Sequence, residues 1–226
     1  MTSYGGKELA SAFRTVRKNT IQVAEDIPES QYGYVAAPEV RPVAKMLTHI
    51  AIATRIWEEI HKKGLTTLVG FDFFGVMDRF NAEENKTRSK AEILELLRKE
   101  GEQFAAWMET LTPESLAELV TEPDGKTAKS RFERLLGAKE HEMHHRGQLI
   151  LIERQLGIVP HLTRQFNERI AQMKAARDCV GRWPYQTEEG GVKPPLQEWE
   201  EPESADKSSS ATGAGYQMRT RSGGTR

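Results

Sequence analysis

Residues 141–145 read His-Glu-Met-His-His and contain three of the six histidines in the chain. On a helix, His141 and His145 are four residues apart and lie one turn above each other on the same face. Two neutral imidazoles presented in this way can bind a divalent transition metal. The spacing therefore predicts a pair of metal ligands from one helix.

The face that carries His141 and His145 is otherwise apolar, and its other members are Ala138, Leu149, Ile152 and Leu156. His144 could compete as a ligand, but it lies about 60° away from His141 around the helix axis, outside this stripe. Burying an imidazole nitrogen without a partner is costly. Either a metal ion or hydrogen bonds to water, backbone or the other ring must therefore satisfy the pair, and the pair alone favours hydrogen bonding.

A third histidine, His49, lies on an apolar face of a different predicted helix, together with Met46, Ala53, Ile56 and Ile60. Three imidazoles on apolar faces are more typical of a metal site than two. The spacing still leaves both interpretations open, a metal centre and a set of hydrogen-bonded structural histidines.

The same residues also match the zincin motif His-Glu-x-x-His, in which Glu142 would be the general base of a protease. The extended metzincin form requires glycine and histidine where this chain has Gln148 and Leu151. No strand that could border a protease cleft is predicted. We therefore disfavour proteolysis, because motifs of this length often match by chance.

Hydrophobic periodicity predicts five amphipathic helices that position these histidines. They span about residues 7–26, 42–62, 89–111, 127–156 and 162–180. The third begins with a capping box formed by Ser89 and Glu92. No alternating pattern of useful length appears, so no β-sheet is predicted.

Residues 64–86 are predicted to be a long connection that is rich in phenylalanine. Such a segment either covers a site or fills one end of the core. Further along the chain, Thr112-Pro113 predicts a short helical turn, and Pro123-Asp124-Gly125 predicts a tight turn.

The composition limits the functional class. The 226 residues carry a formal net charge of −1, which is not the charge expected of a nucleic-acid-binding protein. The single cysteine, Cys179, fits a reducing compartment. No signal-peptide core and no run of about 18 apolar residues is present. We therefore expect a cytoplasmic protein without nucleic-acid or membrane partners.

Three segments resemble the signature of the DinB/YfiT-like family of metal-binding proteins. They are HEMHHRGQL at residues 141–149, LGIVP at residues 156–160 and LTHIA at residues 47–51. Together they are more specific than any one alone, and the resemblance covers about residues 7–160.

The resemblance implies an all-α fold in which residues 1–160 form a four-helix bundle, and it implies a homodimer. The fifth helix then lies in a C-terminal extension over residues 161–186. The composition of residues 187–226, rich in Gly, Ser, Pro, Glu and Lys, predicts a disordered tail.

The resemblance also implies one divalent metal, zinc or nickel, with the fourth position open to water or substrate. The implied ligands are His49, His141 and His145. Members of this family transfer low-molecular-weight thiols such as bacillithiol, and others are regarded as metal-dependent hydrolases. The predicted function is transfer of such a thiol to an electrophilic small molecule. The alternatives are a metal-dependent hydrolase, a non-catalytic metal-binding stress-response protein, and a bundle with structural histidines.

Overall fold

A computed structural model describes residues 4–179 of the chain. The described part contains seven α-helices, one two-stranded antiparallel sheet and a 3-10 turn at Glu29–Gln31. The helices are α1 (Gly6–Asp26), α2 (Val43–His61), α3 (Phe73–Glu84), α4 (Lys90–Glu109), α5 (Pro113–Ala117), α6 (Arg131–Gln155) and α7 (His161–Cys179). The strands are β1 (Leu119–Thr121) and β2 (Ala128–Ser130). The predicted all-α fold class is confirmed.

Four of the helices form the predicted bundle. α1 packs against α4 and α6, and α2 packs against the same two helices, so α1 and α2 lie diagonally opposite each other. The core between them is built from fully buried apolar side chains contributed by all four helices, among them Val23, Leu47, Leu97 and Ile152. Burial of these apolar stripes is the main source of stability for helices of this length.

The ends of the helices follow local signals in the sequence. The Ser89 hydroxyl accepts a hydrogen bond from the backbone N–H of Glu92, and the Glu92 carboxylate accepts one from the backbone N–H of Ser89 at 2.7 Å. This is the capping box predicted for the start of α4. The short helix α5 is likewise capped by Thr112.

The prediction of an unstructured connection over residues 64–86 was wrong, because this segment contains α3. Asp72 caps the helix by accepting a hydrogen bond from the backbone N–H of Gly75 at 2.9 Å. Val76 and Phe80, four residues apart, pack against Ile52 of α2. The pattern concealed the helix because Phe73 and Phe74 are exposed, so its apolar residues do not mark a single buried face.

The prediction that no sheet forms was also wrong. β1 and β2 form a hairpin around the predicted turn, where Gly125 has a φ of 66° and the Asp124 carboxylate accepts backbone hydrogen bonds. Strands of three residues are too short for alternation to be recognisable. Because β2 continues to Ser130, which caps the next helix, α6 begins at Arg131 and not at residue 127 or 128.

The fifth predicted helix is present as α7. Its apolar residues Leu162, Phe166 and Met173 are exposed, so they do not form a stripe buried against the core. The predicted tail at residues 187–226 lies outside the described residues, and the domain boundaries at residues 160 and 186 stay predictions. None of the helices between residues 4 and 179 has the length and hydropathy needed to span a bilayer.

His61, at the end of α2, is buried and accepts a hydrogen bond at Nδ1 from Nη1 of Arg131 at 3.0 Å. Burial, followed by the charges of Arg131 and Arg134, lowers the pKa of His61 to about 3. In the unfolded chain its pKa is about 6.5. The stabilisation by neutral His61 is therefore complete above about pH 6.5 and is lost as the pH falls towards 3.

We expect His61→Asn, whose amide oxygen can replace the accepting nitrogen, to cost less stability at pH 5.5 than at pH 8. The difference should be about 1 kcal/mol, because protonation of the unfolded wild-type chain is absent from the variant. Urea unfolding of both proteins at both pH values measures it. Equal costs at the two pH values would show that His61 titrates normally in the folded protein.

Candidate metal centre

Three histidines converge where α2 packs against α6. His49 comes from α2, and His141 and His145 come from α6. One ring nitrogen from each lies within 4.8 Å of the corresponding nitrogens of the other two. The Nε2 atoms of His49 and His141 are 3.0 Å apart, and the three ring centroids are separated by 4.6–5.0 Å. The structure thus brings together all three of the predicted ligands.

His144, the competing ligand considered from the sequence, lies outside this cluster. Its side chain is exposed, and its ring packs against that of His145 with 4.9 Å between centroids. The choice of His145 over His144 depended on the apolar stripe, and the positions of the two rings agree with it.

Hydrogen bonds orient two of the three rings. Nδ1 of His49 is 2.9 Å from Oε2 of Glu84, and Nδ1 of His145 is 2.8 Å from Oε1 of Gln148. Both oxygens accept hydrogen bonds, so each Nδ1 carries the proton and each Nε2 presents a lone pair. Partners of this kind typically fix the tautomer of metal-binding histidines.

Glu84, at the C-terminal end of α3, was not identified from the sequence. It is buried, and its second oxygen accepts a 2.7 Å hydrogen bond from Nε of Arg41. Burial alone would raise the pKa of Glu84, but the hydrogen bonds from His49 and Arg41 lower it overall. No local sequence pattern distinguishes Glu84 from the other polar residues of α3, and α3 itself was not predicted.

Two of the three rings have the protonation state that metal binding requires. Burial, reinforced by the neighbouring histidines and Arg41, lowers the pKa of His141 to about 3. Burial also lowers the pKa of His145, although the hydrogen bond to Gln148 opposes this effect. At neutral pH both rings are therefore neutral, which is the form that binds metal.

The geometry fits a divalent metal. Two nitrogens bound about 2.05 Å from one tetrahedral ion are about 3.3 Å apart, close to the 3.0 Å observed between His49 and His141. Neutral imidazole nitrogens suit zinc, nickel and copper and are poor ligands for magnesium or calcium. The donor set therefore matches a transition metal without selecting one.

Glu142, the general base in the zincin interpretation, faces away from this cluster. It is 2% exposed, and both carboxylate oxygens lie 3.0 Å from Nε of Arg17 on α1. A carboxylate held in a buried ion pair is poorly placed to accept a proton from a substrate water. The position of Glu142 and the presence of His49 in the cluster both disagree with a zincin site.

The sequence matches the family model described as the DinB superfamily over residues 12–149. The uncharacterized protein YjoA of Bacillus subtilis (strain 168) is 25% identical over 152 residues, covering 66% of this chain and 90% of that protein.

Solved structures show the same fold. The crystal structure of the DinB-like protein YjoA from Bacillus subtilis has a TM-score of 0.50 at 23% identity, covering 66% of this chain and 92% of its own. YfiT from Bacillus subtilis, described as a probable metal-dependent hydrolase with an unusual four-helix bundle topology, has a TM-score of 0.55 at 17% identity. That match covers 70% of this chain and 91% of YfiT. An uncharacterized protein from Clostridium difficile 630 has a TM-score of 0.52 at 15% identity, with coverages of 68% and 98%.

Proposed function

The chain belongs to the DinB superfamily, and on this basis we propose that it is a divalent-metal-dependent enzyme with His49, His141 and His145 as ligands. The observation that carries the proposal is the convergence of three imidazoles within 4.8 Å. The orientation of two rings by Glu84 and Gln148 supports it, because hydrogen-bonded outer partners are characteristic of metal-binding histidines.

His49, His141 and His145 would hold the ion, and a divalent ion bound there would supply Lewis acidity, which makes water or a thiol nucleophilic near neutral pH. The protein supplies the positioning. Glu84 holds the proton on Nδ1 of His49, and Arg41 holds Glu84. The indole of Trp57, fixed by a 3.1 Å hydrogen bond to the carbonyl of Arg134, packs beside the His141 ring at 5.7 Å.

We propose hydrolysis of a small-molecule ester or amide as the reaction, with thiol S-transfer as the competing candidate. Hydrolysis requires only water as the second reactant. S-transfer requires in addition a site for a low-molecular-weight thiol, and we assign no such site among residues 4–179. The description of YfiT as a probable metal-dependent hydrolase supports the same choice.

We expect the zinc- or nickel-loaded protein to hydrolyse members of a 4-nitrophenyl ester panel, and turnover to disappear after chelation and return with metal. A parallel assay with a chromogenic electrophile and candidate thiols, bacillithiol among them, measures S-transfer. Thiol-dependent turnover without esterase activity would contradict hydrolysis and support S-transfer as the reaction. Metal binding without turnover in either panel would contradict the enzyme proposal and favour a non-catalytic metal-binding protein.

The homodimer implied by the family resemblance stays a prediction. Light scattering coupled to size-exclusion chromatography of the full chain measures it, with a mass of twice 25.5 kDa expected for the dimer.

A further inference from the structure

A cleft of about 480 Å³ is lined in part by Trp57, whose ring also packs against the ring of His141 in the histidine cluster. Its apolar walls consist of Ile56, Trp57, Ile60, Leu68, Phe71 and Phe73. A volume in this range and walls of this kind are typical of small-molecule binding sites. The sequence left open whether the phenylalanine-rich segment covers a site or fills one end of the core, and two of its phenylalanines, Phe71 and Phe73, line this cleft.

The cleft is held in shape by backbone hydrogen bonds. One wall is a face of α2, and another is the connection between α2 and α3. That connection is attached to β1, because the N–H of Leu68 donates to the carbonyl of Thr121 at 2.8 Å and the N–H of Thr121 donates to that of Thr66 at 2.9 Å. These backbone hydrogen bonds fix the wall of the cleft, which lowers the entropic cost of binding.

The charged side chains of the cleft neutralise each other. Arg134 and Glu122 both line the cleft, and Nη1 of Arg134 pairs with the carboxylate of Glu122. Glu122 already neutralises the guanidinium, and a second anion beside it would be repelled. An uncharged group therefore matches the cleft, because a charged one would lose its hydration without gaining an unpaired partner.

Trp57 connects the cleft to the proposed metal centre. Its indole lines the cleft, and its ring centroid is 5.7 Å from that of His141. A group bound in the cleft therefore contacts the same side chain that packs beside one of the three histidines. This places the cleft at the distance of one side chain from the proposed reaction centre.

We propose that this cleft binds an uncharged aromatic or branched apolar group, which packs against its apolar walls beside the neutralised pair of Arg134 and Glu122. That group is the part of the substrate held beside the metal centre. The binding site is inferred from the cleft itself, and only its role as a substrate site depends on the proposed function.

The test uses the neutral fluorophore 6-propionyl-2-(dimethylamino)naphthalene, an aromatic ketone, titrated with the purified full chain. We expect saturable binding with a blue-shifted emission. Phe73→Ala should weaken binding about tenfold, because it removes the apolar contact between the Phe73 ring and the fluorophore. Its matched control is Phe74→Ala, because Phe74 is 83% exposed and does not line the cleft. Equal effects of the two substitutions, or no saturable binding, would overturn the proposal.

A further variant separates this proposal from the proposed function. His49→Ala should leave fluorophore binding within twofold of wild type, because His49 does not line the cleft. Absence of metal-dependent turnover together with the expected fluorophore results would reject the enzyme proposal and retain the binding site. Metal-dependent turnover with no effect of Phe73→Ala on KM for aryl esters would reject the substrate role of the cleft alone.

Discussion

Replacing His49 with alanine should reduce bound zinc or nickel from about one ion per chain to background. Three imidazoles from two helices share the proposed site, and two remaining ligands bind a divalent ion far more weakly than three. We expect the same loss for His141→Ala and His145→Ala. Elemental analysis of each dialysed protein, followed by competition with a chromophoric chelator, measures the stoichiometry and the affinity.

The matched control is His144→Ala, which removes an exposed histidine adjacent to His145 and should keep one ion bound. The metal affinity of Glu84→Ala should lie between those of His49→Ala and His144→Ala. It retains all three ligands but removes the acceptor that orients His49, so metal affinity should fall about 10- to 100-fold. Full metal occupancy in His49→Ala would end the proposal of a shared three-histidine site.

Replacing Glu142 with alanine should destabilise the fold by about 3–5 kcal/mol. Arg17 and Glu142 are 4% and 2% exposed, and Arg17 also donates to the carbonyls of Leu97 at 2.7 Å and Ile50 at 3.2 Å. Without the carboxylate, a guanidinium would remain buried between α1, α4 and α2 with no compensating charge. Chemical unfolding of the metal-free proteins measures the loss.

Two controls accompany this prediction. The double variant Arg17→Met with Glu142→Leu should recover most of the lost stability, since replacing both partners of a buried ion pair leaves no isolated charge. Glu102→Ala breaks an exposed pair with Arg14 and should cost no more than about 1 kcal/mol. A cost for Glu142→Ala as small as that for Glu102→Ala would show that Arg17 finds water or another partner.

This ion pair also explains the glutamate within the His-Glu-x-x-His pattern. Gly101 lies against Arg17, and a Cβ at that position would be 2.8 Å from Cγ of Arg17. The absence of a side chain on α4 therefore lets the long arginine reach Glu142 across the bundle. Glu142 therefore has a structural role in the ion pair with Arg17, although its position in the motif suggested a catalytic one.

Local patterns predicted much of the helical framework correctly. Apolar residues at 3.6-residue spacing predicted the four bundle helices, and the capping box at Ser89 predicted where α4 starts. The failures were short elements. α3 has only a few buried apolar residues, and each strand of the hairpin has three residues, so neither shows a full period.

The burial of individual residues could not be predicted from their sequence neighbours. His61 is followed by Lys62 and Lys63, a context typical of a surface position, but it is buried and Arg131 of α6 donates a hydrogen bond to it. Burial of a single residue depends on which distant segment covers it, and neighbours in the sequence do not specify that segment.

By itself, the sequence determined that His141 and His145 share one face of a helix, because residues four apart on a helix are neighbours whatever the helix packs against. Its motifs also identified the superfamily. Only the tertiary structure decided that His49 lies beside this pair and that Glu84 orients the His49 ring. It also decided that Arg17 forms an ion pair with Glu142. These partners are separated by between 35 and 125 residues along the chain, and contacts over such separations arise only when the helices pack.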